Sequence, residues 1–133
     1  MRIRTTALLL SILLFSSLAF AADADFTIKK LGDGVYAALG VDGGKAGSNA
    51  GFVVGSNGVL VVDTFTNPAA ARDLLAEIRK ITSLPIRFVV NTHYHLDHTG
   101  GNAVFAEAGA TIVAQSGRKG RGNGVLSASG IRR

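Results

Sequence analysis

Two short apolar runs with an amphipathic segment between them limit the folds open to this chain more than any other feature. Val59-Leu60-Val61-Val62 is apolar at every position, as in a strand covered on both faces, and Ile86 to Asn91 is a second buried-looking run. Between them, Asn67-Pro68 supplies an N-cap and a first-turn proline. Leu74, Leu75, Ile78 and Ile81 recur at helical spacing on one face, with Arg72, Asp73, Glu77, Arg79 and Lys80 on the rest, which predicts a helix from about Pro68 to Ile81. Strand, helix, strand in that order favours a right-handed crossover and parallel pairing, and Pro85 closes the connection.

Upstream, Phe26 to Lys30 and Val35 to Leu39 read as strands joined by the Gly32-Asp33-Gly34 turn. Phe52-Val53-Val54 and the Val59 run flank Gly55-Ser56-Asn57-Gly58. Asn-Gly between β-branched runs signals a hairpin, because both residues tolerate positive φ. Val41 to Asn49 is a Gly-rich loop without a phosphate-loop pattern, best read as an ordinary mobile loop. Downstream, Gly100-Gly101 leads into a helix from about Asn102 to Ala108, and Ala110 to Ala114 reads as a further strand.

The chain's two ends differ from this body. A basic start, Met1-Arg2-Ile3-Arg4, precedes an uncharged run from Ala7 to Phe20 and the small-x-small residues Ala19-Phe20-Ala21. This is a secretory signal pattern, expected to occupy residues 1–21, with an N-terminal anchor helix as the alternative. It implies a periplasmic or secreted protein with no stable membrane anchor after cleavage. There is no Cys, so neither a lipid-acylated thiol, a disulfide nor a thiolate metal ligand is available. The net charge of +5 is misleading: between Ala22 and Gly117 seven basic residues face nine acidic ones, so the body is near −2. That excludes nucleic acid as the default partner and leaves a small-molecule substrate; oligomeric state is not legible. Residues 116–133, Gly-rich and basic, show no core element and read as a disordered tail. Residues 22–115 form one domain.

All three histidines of the chain fall in His93-Tyr94-His95-Leu96-Asp97-His98, directly after a buried strand. Open α/β sheets place their ligands at that end of a strand. His93 and His95 are two apart, so in extended backbone they project to one side and can grip one ion; Asp97 and His98 follow once the chain turns and can face a second. Tyr94 and Leu96 alternate with them and are expected to point away and pack. Imidazole and carboxylate without thiolate suit zinc, with iron or manganese also open. A divalent ion lowers the pKa of a water it holds far below that of bulk water, toward about 7, which points to hydrolysis.

The segment Thr92-His93-Tyr94-His95-Leu96-Asp97-His98-Thr99-Gly100-Gly101-Asn102 resembles the His-x-His-x-Asp-His signature of the metallo-β-lactamase superfamily. Val61-Val62-Asp63-Thr64 resembles that family's first motif, and the likeness runs from about Phe26 to Gln115. It implies an α/β fold, the four-layer αββα sandwich, of which this chain holds about the N-terminal half. It also implies that His93 and His95 bind a first zinc, that Asp97 and His98 bind a second, and that Asp97 is the catalytic residue. Asp63 would orient the site from behind the ligands or simply start the turn toward Asn67. In the family a third histidine completes the first zinc site and a last one the second, yet no histidine follows His98. Zinc binding is therefore expected to be weakened and the chain to be truncated or frame-shifted after Gln115. The expected function is an exported zinc-dependent hydrolase. The alternative is a noncatalytic metal-binding or inert remnant of one.

Overall fold

A computed structural model describes residues 25–115. The signal and tail expectations lie outside them. Six strands, β1 (Phe26–Gly32), β2 (Val35–Gly40), β3 (Ala50–Val54), β4 (Val59–Val62), β5 (Ile86–Val90) and β6 (Thr111–Val113), form one sheet in sequential order. β1 to β4 are antiparallel; β4, β5 and β6 run parallel, as the crossover requires. Three helices are described: α1 (Pro68–Ile81), the single turn α2 (Leu96–Thr99) and α3 (Asn102–Glu107). No described helix is long and apolar enough to cross a membrane.

The crossover helix α1 has the predicted bounds. Asn67 caps it by accepting from Ala69 N at 2.7 Å, Pro68 opens it, and Arg79 and Lys80 stand where the helix dipole favours cations. Asn67→Ala is expected to cost about 1 kcal/mol, measurable as a lower denaturant midpoint with unchanged slope. Ala70, Ala71, Leu74 and Ile78 are fully buried, whereas Ile81, placed by spacing on the same face, is 40% exposed because the helix ends there.

The core lies on the helix side of the sheet. Register sets Tyr36, Phe52, Val61, Val89 and Ile112 in one row across β2 to β6, with Tyr36 and Phe52 stacked at 4.7 Å. The opposite row, Val35, Val53, Leu60, Phe88 and Thr111, faces outward, and Val53 and Phe88 are 41% and 43% exposed. Strand β4 is therefore covered on one face within the described residues, not two. An all-apolar run hides its own alternation.

The hairpin between β3 and β4 forms with Val54 opposite Val59, but of the Asn-Gly pair only Gly58 has a positive φ. Gly55 N donates to Gly58 O at 2.9 Å, giving a four-residue loop in place of the tight turn that requires positive φ twice. Positive φ appears instead at Asp63 (59°) and Phe65 (65°), where the chain leaves β4. For a buried aromatic this conformation is an outlier, and such strain concentrates near functional sites. The Phe65 ring is fully buried, 5.0 Å from that of Phe26.

The loop from Val41 to Asn49 is tied down along its length, contrary to the mobile reading. Lys45 N donates to Asp25 Oδ1 at 2.8 Å, Ala46 is fully buried with its carbonyl taken by Thr66 N, and Asn49 Oδ1 accepts from Gly40 N at 3.0 Å.

Candidate metal centre

Asp63 follows β4, Asn91 and Thr92 follow β5, and the two strands are parallel neighbours, so these residues meet at the carboxyl edge of the sheet. The left-handed turn at Asp63 directs its carboxylate, 4% exposed, to the segment after β5. Oδ1 accepts from Thr92 N at 2.8 Å, while Oδ2 accepts from Thr92 Oγ1 and from His98 Nδ1, each at 2.8 Å. Asp63 thus does more than start a turn; it holds two parts of the histidine segment together.

Its hydrogen bonds also decide where protons sit on the rings. An ionised carboxylate only accepts, so Nδ1 of His98 carries a hydrogen toward Asp63, and Nε2 is the nitrogen it presents to the site. The single hydroxyl hydrogen of Thr92 goes to Asp63. At its 3.0 Å contact with His93 Nδ1 that oxygen accepts, and His93 likewise presents Nε2. His98 Nε2 lies 3.2 Å from Asp97 Oδ2, and His93 Nε2 lies 3.1 Å from His95 Nδ1. Ring centroids of His93 stand 4.1 Å from His98 and 4.7 Å from His95.

These donors suit a divalent cation. One ligand atom each from His93, Asp97 and His98 lies within 4.8 Å of the others, and imidazole held by carboxylate behind it is the usual support of a histidine ligand. Of the four predicted ligands the geometry groups these three, and His95 stands beside the trio with its Nδ1 3.1 Å from His93 Nε2. The side chain of Asp97 is 44% exposed and that of His98 is 21% exposed, so the cluster opens to solvent. Tyr94 and Leu96, 76% and 68% exposed, do not pack into the core, and the Tyr94 ring stands edge-on to that of His95 at 4.7 Å.

Several contributors were not legible as site residues. Ser48 Oγ donates to the Asp97 carbonyl, joining the 41–49 loop to the metal segment. Gly100 and Gly101 both have negative φ, so conformation does not require them. Space does: a Cβ at Gly100 would lie closer than 3.0 Å to Thr66 O, and one at Gly101 closer than that to Thr64 O and to Ala71 Cβ. A separate open depression of about 1280 Å³, lined by Asp25, Asp42, Asp73, Glu77, Lys45 and Lys80 among others, shares no residue with the histidine cluster.

A mixed sheet with imidazole and carboxylate groups gathered at its parallel edge defines a protein of a metallohydrolase family. The family model of the metallo-beta-lactamase superfamily matches residues 43–116, and the chain belongs to that superfamily. It is similar to a metallo beta lactamase structure from Hirschia baltica, with TM-score 0.58 and 26% identity over 67% of this chain and 42% of that one. Among curated proteins it is 34% identical over 83 residues to the 2,4-dinitroanisole O-demethylase subunit alpha of Nocardioides sp., covering 62% of this chain and 22% of that protein. It is 44% identical over 48 residues to a linear primary-alkylsulfatase of Pseudomonas sp., covering 36% of this chain and 9% of that protein. The chain therefore spans under half of the structure and a minor part of each curated relative.

Proposed function

We propose that this chain carries the metal-holding part of an exported zinc-dependent hydrolase whose dinuclear site directs water onto an ester, amide, thioester or related bond of a small molecule. His93 and His95 would hold the first ion, Asp97 and His98 the second, and Asp63 would orient them. The carrying observation is the grip on His98, with Asp63 Oδ2 at 2.8 Å on Nδ1 and Asp97 Oδ2 at 3.2 Å from Nε2. Zinc bound there would acidify water and polarise the bond under attack.

The chain's own groups supply the rest. Asp63 holds Nδ1 of His98 directly and Nδ1 of His93 through Thr92, which turns Nε2 of both rings to the site. Asp97, partly exposed, would offer one oxygen to an ion and leave the other free to accept a hydrogen bond from a water and orient it. The alkylsulfatase relative makes an alkyl sulfate the first ester to try.

Zinc calorimetry on the purified chain, with a panel of an alkyl sulfate, a nitrophenyl ester and a β-lactam, tests this reading. Two ions bound with turnover of a panel member supports it; none or one bound without turnover sinks the enzyme. His95→Ala should lower the zinc stoichiometry, and an unchanged value refutes the role given to His95. A second reading, ion binding without catalysis, is favoured by one observation: the chain's three histidines are all in the motif, so with His98 given to the second ion no further imidazole is left to join His93 and His95 on the first, where catalytic zinc takes three protein ligands.

A further inference from the structure

The histidine segment is also gripped through its backbone, by side chains outside the ligand set. The carbonyl of His98 accepts from Thr64 N at 2.9 Å and from Asn91 Nδ2 at 3.1 Å. The hydroxyl hydrogen of Thr64 is shared between that carbonyl at 3.3 Å and Asn102 Oδ1 at 2.9 Å. Asn91 and Asn102 pair head to head: Asn102 Nδ2 donates to Asn91 Oδ1 at 2.8 Å, and Asn91 Nδ2 donates to Asn102 Oδ1 at 3.1 Å. Thr64 is fully buried and Asn91 is 6% exposed. Among the described residues no buried side-chain polar atom lacks a partner, so this network is closed. Its members follow β4, follow β5 and open α3, and they converge beneath one carbonyl.

We infer that Thr64, Asn91 and Asn102 are positioning residues that fix the His98 backbone, and with it the place of Nε2 relative to Asp97 and His93, before any ion arrives. This rests on the ion-binding reading above. Asp63 holds the ring of His98 but leaves the peptide behind it free to tilt. A carbonyl with donors on several sides cannot tilt. Only a carboxamide suits Asn102, because the same head must donate to Asn91 and accept from both Asn91 and Thr64. Being neutral, the pair fixes the turn without adding a charge that would compete for the ion.

The test is zinc calorimetry and the cobalt(II) absorption spectrum of the parent chain, Asn102→Leu, Thr64→Val and the double variant, with amide exchange of Thr64 followed in the ion-free chains. Asn102→Leu should weaken zinc by about tenfold or more and shift the cobalt spectrum, as loss of support behind a ligand does. Thr64→Val should act in the same direction by less, and the double variant should fall short of the product, because the two share one network. Thr64 amide exchange should be slow in the parent and faster in Asn102→Leu. A folded Asn102→Leu chain with the parent's zinc affinity and cobalt spectrum overturns the inference. Should that variant not fold, Thr64→Val decides by the same criterion. If the parent takes up no zinc, the ion-binding reading falls; the positioning role then stands or falls on Thr64 exchange, and no acceleration in the variants rejects it.

Discussion

Asp63→Asn should lower zinc affinity by about 10- to 100-fold while leaving the chain folded. The substitution keeps the shape of the side chain but reverses its hydrogen bonding. Thr92 N, 2.8 Å from Oδ1, fixes which way the new amide turns, so its nitrogen takes the place of Oδ2. That nitrogen donates where Oδ2 accepted, toward Thr92 Oγ1 and His98 Nδ1. His98 Nδ1 must then accept, and its hydrogen moves to Nε2. Thr92, now an acceptor toward residue 63, turns its hydrogen to His93 Nδ1, and the His93 hydrogen also moves to Nε2. Both rings would present N–H to the site. Nitrogen NMR of the imidazoles reads the tautomers directly without an ion, and unchanged tautomers in the variant would refute the scheme. Asp63→Ala, which strands the buried donors instead, should also cost about 1–3 kcal/mol of stability.

Gly101→Ala should be strongly destabilising. The new Cβ would stand closer than 3.0 Å to Thr64 O and to Ala71 Cβ, and Ala71 is fully buried in α1. Neither neighbour is the tip of a flexible side chain. Overpacking of this kind costs about 1–3 kcal/mol, and here helix α1 and the segment after β4 must both shift, so the upper end is expected. Denaturant unfolding monitored by circular dichroism checks it. Gly32→Ala is the control: its added Cβ meets nothing within 4 Å and its φ is not positive, so the midpoint should barely move. Equal midpoints for the two variants would refute the packing account.

What the residues disclosed in one dimension were features with local causes. Helix α1 could be bounded because Asn67, Pro68 and the spacing of Leu74 and Ile78 all act within a few positions of one another. The histidine cluster was legible because its members are adjacent and follow a strand. Asn91 and Asn102 were not, since each amide is unremarkable until the fold brings it to the other. The packing role of Gly101 was hidden for the same reason: the crowding comes from Thr64 and Ala71, far away along the chain. The outward exposure of Phe88 was missed because exposed Arg87 just before it marks, by simple alternation, the other face as the outer one, whereas a register irregularity between Ile86 and Phe88 leaves both Arg87 and Phe88 exposed.

The sequential strand order has a consequence for how the centre comes into being. β1 to β4 pair with their immediate neighbours in sequence, and such contacts close quickly because little loop entropy is lost. The bonds that organise the histidines join residues 29, 34 and 35 positions apart and exist only once α1 has carried β5 back alongside β4. The meander thus rests on contacts local in sequence, whereas the corner that gathers the histidines depends on β5 being docked against β4.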